Sequence, residues 1–284
     1  MTYRGTRLVD DTIVRLYDWR GTGDFVELSG PRQHVHGAQL LEGVGGLWEP
    51  PITLIEIKTA RLPGAIPVTV RVEKIEIDLP TIIQGRDSIE WQWWNRRINR
   101  MLSDSHDSPL VVSTLPWGPR WMPVRKAEAL SDPFEEDPTL ALTQIWNWKL
   151  VGYDPDWRSR TLTADWSNKG GSGNGLMRIA YRGDRPSYPK WTGNAGNWVL
   201  QQSPAGLWNP LPRMAAGEEW VADSHPLAFQ LQSTLNSDKW EELQRGFTTP
   251  VTEEGEHVFG VRVDGGTAAQ CQLRLEQRHR HPWG

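Results

Sequence analysis

The chain has 284 residues, a net charge of −4, 38% hydrophobic residues and one cysteine, Cys271. This length suggests one large or two medium domains. The slightly acidic charge gives no support for nonspecific nucleic-acid binding, and the single cysteine excludes an internal disulfide. No stretch has the pattern of a signal peptide or of a membrane span, so we expect no membrane partner and assembly in the cytoplasm.

Tryptophan dominates the aromatic content, with 17 residues against five each of Phe, Tyr and Met. Its large contact area and polar N–H suit a surface that is half buried against a neighbouring protein. Filling of the chain's own cores is the alternative for any one of these tryptophans.

Alternating hydrophobic residues predict strands in the first hundred residues. Residues 52–59 alternate, and a second run begins at residue 66. In this second run the apolar positions change from even numbers to odd numbers after residue 72. The change predicts one strand with a β-bulge near Glu73 and Lys74, ended by Pro80.

A single helix is predicted at about residues 87–103, with Asp87 or Ser88 as its N-cap. Its apolar face consists of Trp91, Trp94, Ile98, Met101 and Leu102. The opposite face carries Arg96, Arg97 and Arg100, for which a solvated surface is the ordinary interpretation and an acidic partner the alternative.

The next segments predict a hairpin around residues 116–119, an exposed acidic loop over 131–138, and a long strand over 140–153. Trp146 and Trp148 share one face of that strand. The composition changes after Arg158, and the glycine-rich residues 168–175 indicate a loop just inside a second domain, with a linker as the alternative. The strands that follow are short; they cover 161–167, 176–181, 197–202, 218–223, 226–232, 257–263 and 268–277, with a helical turn at most over 239–245.

These patterns predict an all-β protein with one helix and two β-sandwich domains, residues 1–160 and 161–284. Catalytic signatures are missing: the sequence has no nucleophile elbow, Walker loop or dinucleotide fingerprint. His34 and His36 would share a strand face, but a metal site needs further ligands. Cys271 lacks an activating neighbour and is predicted to be a buried apolar thiol.

Carboxylates are plentiful, and a glycosidase would need two of them facing each other across a cleft. Charge that is solvated in loops is the ordinary explanation for all of these carboxylates. The tripeptide Arg182-Gly183-Asp184 matches an integrin-binding sequence, but it opens a proline-rich turn and is interpreted as part of that turn. We therefore predict no catalytic residue, no metal, no cofactor and no enzymatic activity. The carboxylates concerned are Glu135, Glu136, Asp137, Glu218, Glu219, Glu253 and Glu254.

Three motifs in a fixed order carry a family resemblance. A strand ends in Tyr153-Asp154-Pro155-Asp156-Trp157, a turn contains Gly183, Asp184, Pro186, Tyr188 and Pro189, and the chain ends in Pro282-Trp283-Gly284. Together they resemble the distal tail proteins of long-tailed phages, and more specifically the minor tail proteins of actinobacteriophages. Asp156 departs from the pattern, since an aromatic residue is commoner after Asp-Pro.

The resemblance implies a first domain that forms a hexameric ring continuing the tail tube, and a galectin-like second domain. The expected function is that of a structural virion protein at the tail tip. Its expected partners are further copies of itself, the tail tube protein, and the hub or baseplate proteins. The alternatives are an adhesin that binds host cell-wall glycan, with Trp191 or Trp208 stacking on a sugar, and a cell-wall enzyme.

Overall fold

The computed structural model describes residues 12–58, 63–130, 136–202, 206–265 and 268–283, without the side chain of His34. The chain divides into two compact units. Unit 1 comprises Met1–Trp157 with Arg280–Gly284, and unit 2 comprises Arg158–His279. The predicted division at residue 160 falls beside this boundary, but Arg280–Gly284, predicted in the second domain, belongs to unit 1.

Unit 1 consists mainly of antiparallel strands. In chain order its elements are β1 (Ile13–Tyr17), β2 (Phe25–Ser29), a 3₁₀ turn (Gln33–His36), β3 (Ala38–Leu40), β4 (Ile52–Lys58), β5 (Ala65–Val72), β6 (Ile75–Gln84), α1 (Ser88–Met101), β7 (Ser108–Thr114), β8 (Gly118–Lys126), α2 (Pro138–Ala141) and β9 (Thr143–Gly152). Strands pair in the orders β8-β7-β1-β2 and β3-β6-β9-β8, while β4 and β5 form a separate two-stranded sheet.

Helix α1 confirms the predicted helix, its N-cap and its apolar face. The side chain of Asp87 accepts a hydrogen bond from the Glu90 N–H at 2.8 Å, which satisfies a backbone donor that has no partner within the helix. Trp91, Trp94 and Ile98 are buried in the same core as the residues of β6 to β9. The predicted pairing of Trp146 and Trp148 on one face of β9 is also confirmed, and both are buried.

Two strand predictions in unit 1 were wrong. Residues 66–84 form two strands, β5 and β6, that belong to different sheets, and Glu73 and Lys74 connect them instead of forming a bulge. Pro80 lies inside β6, and its carbonyl accepts the Leu41 N–H at 2.8 Å, so pairing continues across the proline. The predicted strand over 140–153 begins only at Thr143, because residues 138–141 form the one-turn helix α2.

Unit 2 is a β-sandwich. Its strands are β10 (Trp157–Asn168), β11 (Gly173–Tyr181), β12 (Lys190–Gly193), β13 (Asn197–Gln201), β14 (Trp208–Pro210), β15 (Trp220–Asp223), β16 (Leu231–Ser233), β17 (Gly255–Asp264) and β18 (Ala269–His279). A sheet in the order β16-β15-β12-β18-β10 and a second in the order β11-β17-β13-β14 enclose a core rich in aromatic residues. The predicted strand over 226–232 is mostly turn, since β16 begins at Leu231.

The glycine-rich segment lies inside unit 2, where residues 169–172 form the hairpin turn between β10 and β11 and residues 173–175 already belong to β11. Within the described ranges, no helix is long and apolar enough to cross a membrane.

Candidate functional site

The first motif carries a tryptophan from the end of β9 into the core of unit 1. Tyr153 is exposed and lies under the guanidinium of Arg125, 5.8 Å from the ring centroid. Asp154 and Pro155 turn the chain, and Trp157 is completely buried. The motif therefore forms a turn that anchors Trp157 in the core of unit 1.

The second motif fixes the connection between β11 and β12 in unit 2. A Cβ atom on Gly183 would lie 2.3 Å from the Tyr181 hydroxyl and 2.4 Å from the Arg278 carbonyl, so only glycine fits there. The Asp184 N–H donates to the same Arg278 carbonyl at 3.1 Å. The Arg182-Gly183-Asp184 sequence thus lies in a tightly packed connection.

The rest of this motif is held by its neighbours. The ring of Tyr188 meets His225 edge to face at 5.0 Å. The Pro189 carbonyl accepts both the Ser224 N–H at 3.1 Å and its hydroxyl at 2.7 Å, and Pro186 is exposed. These contacts fix a loop between two strands.

The third motif packs against the core of unit 1. Pro282 is buried, and the indole of Trp283 stacks on that of Trp48 at 5.5 Å and donates to the Thr12 hydroxyl at 3.3 Å. Gly284 lies outside the described residues. Trp157 and Trp283 both pack against the core of unit 1, whereas the second motif lies in unit 2. The first and third motifs therefore belong to unit 1, and the second belongs to unit 2.

The predicted histidine pair is not on a strand. His34 and His36 lie in a 3₁₀ turn, where Nδ1 of His36 accepts the Glu27 N–H at 2.9 Å. Burial, with a further contribution from the charge of Arg97, lowers the pKa of His36. The imidazole acts as a neutral cap on the edge of β2. No group of three or more His, Cys, Asp or Glu side chains that could hold a metal ion occurs within the described ranges.

The remaining candidate side chains are structural or solvated. Cys271 is buried as predicted, and burial raises the pKa of its thiol. Glu218 departs from the expectation of a solvated carboxylate, because it is buried and accepts the Ala215 N–H at 2.6 Å. Glu135 lies outside the described residues. The other loop carboxylates are exposed, namely Glu136, Asp137, Glu219, Glu253 and Glu254.

Both tryptophans considered for sugar stacking are packed against other residues of unit 2. Trp191 is 1% exposed and lies in the core of unit 2. The Trp208 ring packs on Gly260, where an added Cβ would lie 2.4 Å from Cη2, and the guanidinium of Arg262 lies 4.0 Å from the ring centroid.

The most unusual surface is the hairpin formed by β4 and β5, which we call the hairpin arm. Every residue of β4 and all but the last residue of β5 are exposed. Monomeric soluble proteins rarely expose so many neighbouring aliphatic side chains. The exposed aliphatic residues, at 43–59% each, are Ile52, Leu54, Ile55, Ile57, Ile66, Val68 and Val70.

The register of the hairpin arm distributes these side chains over both of its faces. Leu54 pairs with Val70 and Ile57 with Ile66, and the register shifts between Ile55 and Glu56. Directly opposed residues share a face, and successive residues of β4 alternate. Leu54 and Val70 therefore lie on one face, and Ile57 and Ile66 on the other.

The edges of the hairpin arm are equally unprotected. Its two strands pair only with each other among the strands of the described chain. Each strand thus leaves one row of backbone N–H and C=O groups open to another chain. An isolated two-stranded sheet is marginally stable in water, so the arm has the properties of a segment that is completed by a partner.

These two β-rich units, with the helix after β6 and the β-sandwich of unit 2, constitute the fold of phage distal tail and baseplate proteins. The Dit protein of phage SPP1, described as a paradigm of the hub adsorption apparatus in phages that infect Gram-positive bacteria, is similar over 94% of this chain and 98% of its own, with a TM-score of 0.61 and 12% identity. Chains of the phage p2 baseplate in its activated conformation, solved with Sr and with Ca, each give a TM-score of 0.58 over 95% of this chain and 99% of theirs, at 8% and 9% identity. No protein-family model and no curated protein sequence matches the chain.

Proposed function

We propose that the chain is a structural protein of a phage virion that forms a six-membered ring at the distal end of the tail tube. The ring joins the tube to the hub or baseplate proteins, and the chain has no enzymatic role. The fold shared with SPP1 Dit and with the p2 baseplate chains supports this assignment. The observation that carries it is the hairpin arm, whose side chains are exposed on both faces.

The hairpin arm has the chemistry of an inter-subunit contact. Burying an aliphatic side chain contributes roughly 1.5–3 kcal/mol, so completing the burial of half-exposed side chains gives on the order of 1 kcal/mol each. Ring formation requires a heterologous contact, in which two different surfaces of the subunit meet. An arm that reaches a different surface of the next subunit meets that requirement and removes two open strand edges.

Imaging of assembled tails tests the ring. Electron microscopy of tails that contain the chain should show a six-fold ring of this protein at the end of the tube. A three-fold fibre position, or release of sugar or peptide from host cell wall by the purified protein, would overturn the proposal.

A charged variant tests the role of the hairpin arm in that ring. Leu54→Asp combined with Val70→Asp places two carboxylates on one rung of the arm. We expect tails assembled with this variant to lack the ring, while the isolated chain keeps its melting temperature. The matched control is Leu176→Asp combined with Leu207→Asp, which changes two exposed leucines of unit 2. Normal rings in the arm variant would show that the hairpin arm is not part of the contact between subunits.

Glycan binding by unit 2 stays an alternative prediction. The structure weakens its original support, because Trp191 is buried and the Trp208 ring is in contact with Gly260 and with the guanidinium of Arg262. Glycan-array binding by the purified chain would be needed to revive it.

A further inference from the structure

A cavity of about 580 Å³ lies beside the C-terminal half of α1. We call its four arginines, Arg20, Arg96, Arg97 and Arg100, the arginine face. The other side chains that line this cavity are Asp24, Trp93 and Met101. Asp24 supplies the one carboxylate in the lining of this cavity.

Two of these arginines are fixed by ion pairs, and two are available. Arg20 bonds to Asp18, with Nε 2.9 Å from both carboxylate oxygens. Arg97 bonds to Asp24 and donates to the Phe25 carbonyl at 3.1 Å. Arg96 and Arg100 are exposed, and neither forms an ion pair with a residue in the described ranges. The cavity therefore contains two positive charges, those of Arg96 and Arg100, that lie one helical turn apart and have no ion-pair partner in the described chain.

Trp93 gives the arginine face an ordered apolar centre. Its side chain is 54% exposed, yet its ring meets Trp94 at 4.4 Å, and the guanidinium of Arg97 lies 5.2 Å from its centroid. A side chain that is already ordered loses little entropy on binding. Tryptophan and arginine are also the residues most enriched at the energetic centres of protein interfaces.

We propose that the arginine face binds the acidic segment of residues 131–138 from a second copy of the chain. That segment contains four carboxylates, one phenylalanine and no basic residue in eight positions, which complements both the charge and the tryptophan. Its described acidic residues, Glu136 and Asp137, are exposed and form no ion pair with the arginine face of their own chain. The inference rests on the proposed ring, because it supplies a pair of different surfaces for a heterologous contact.

The charge distribution along α1 favours a short acidic peptide over a nucleic acid. Asp87 and Glu90 lie at the N-terminal end of the helix, so the positive surface ends within the helix length. A polyanionic strand would need a basic track that continues along its backbone. A short segment with adjacent carboxylates needs only the arginines at the C-terminal end.

The test measures binding of a labelled synthetic peptide with the sequence of residues 131–138 to the purified full chain, by fluorescence anisotropy. We expect binding that weakens as salt is added, since the Debye length falls from about 30 Å at 0.01 M to about 8 Å at 0.15 M. Arg96→Gln combined with Arg100→Gln should weaken binding about tenfold, the size expected for two exposed ion pairs. These arginines are exposed, so the melting temperature of the variant should not change.

Two controls isolate the effect. Arg213→Gln combined with Arg245→Gln removes two exposed arginines from unit 2 and should bind the peptide normally. A peptide with its four acidic residues replaced by Asn and Gln should not bind. No binding to the parent chain, or equal binding to the Arg96/Arg100 variant, would overturn the inference, as would binding of an oligothymidine in place of the peptide.

The peptide measurement needs no assembled tail, so it can fail separately from the ring. A six-fold ring without peptide binding would overturn the arginine-face contact alone. Peptide binding in a chain whose tails show no ring would support the contact and overturn the ring.

Discussion

Two hairpins of unit 1 have similar hydrophobic alternation and opposite environments. In the hairpin of β7 and β8, Leu110 pairs with Met122 and both are completely buried. In the hairpin arm, Leu54 pairs with Val70 and both are more than half exposed. The first hairpin continues into a larger sheet through β1, whereas the second pairs with no other strand of the described chain.

This difference in burial shows that the alternation of apolar and polar residues predicts a strand but not which part of the structure covers its apolar side chains. A strand with aliphatic residues on one side is satisfied equally by its own core or by another subunit. Where no other described strand of the chain covers the apolar face, the partner is expected outside the chain. The comparison therefore identifies the hairpin arm as a surface that the proposed assembly would cover.

The largest effects are expected in the core that covers the β7–β8 hairpin. Trp94→Ala should lower the free energy of unfolding by about 3–5 kcal/mol and Ile98→Ala by about 2–5 kcal/mol, because each leaves a cavity in that core. Trp93→Ala, on the exposed side of the same helix, is the control and should cost about 0.5 kcal/mol. Urea titration measures all three, and equal costs for Trp93 and Trp94 would contradict the packing of α1.

The most direct test of the comparison truncates the same residue type in the two hairpins. Leu110→Ala should cost about 2–5 kcal/mol, since its side chain is completely buried. Leu54→Ala should change the stability of the isolated chain by at most about 0.5 kcal/mol. The urea midpoint gives both values. A large loss of stability from Leu54→Ala would mean that the arm packs against its own chain, and the two hairpins would then not differ in environment.

The smallest expected effect is on the pH dependence of the free energy of unfolding, through the side chain of His36 at the edge of β2. His36 caps the edge of β2 as a neutral ring, and burial lowers its pKa in the folded state. The unfolded state then binds the proton more readily, so this stabilisation is complete above the unfolded pKa of about 6.5 and is lost as pH falls through the lower folded value. Unfolding free energies at pH 7.5 and 5.5 should differ less in His36→Gln than in the parent chain. An unchanged difference would show that another group controls this pH range.

Much of the local structure could be predicted because it depends on neighbours in the sequence. Trp91, Trp94 and Ile98 recur at helical spacing, and Asp87 precedes them as a cap, so α1 followed directly. The hairpin around Gly118 and the shared face of Trp146 and Trp148 followed from turn residues and alternation. The motifs around Trp157, Gly183 and Trp283 indicated a phage tail fold from the sequence alone.

The misplaced elements depended on interactions between distant residues. The apolar positions change from even to odd residue numbers near Glu73, which suggested a bulge within one strand. In the structure β5 and β6 are separate strands, because β5 pairs with β4 and β6 pairs with β9. The histidine pair looked like a strand face, but His36 lies in a turn where it caps β2. Periodicity carries no information about which strand will pair with which.

Sequence by itself determined the class of the molecule: a β-rich chain with one main helix, several turn motifs and an excess of tryptophan. Only the tertiary structure decided which surfaces remain uncovered. The hairpin arm is exposed because both of its strands lack a partner among the other described strands, and the arginine face is positive because Arg96 and Arg100 meet no carboxylate in the described chain. Burial and charge neutralisation arise from contacts between residues far apart in sequence, so they become visible only when the chain is folded.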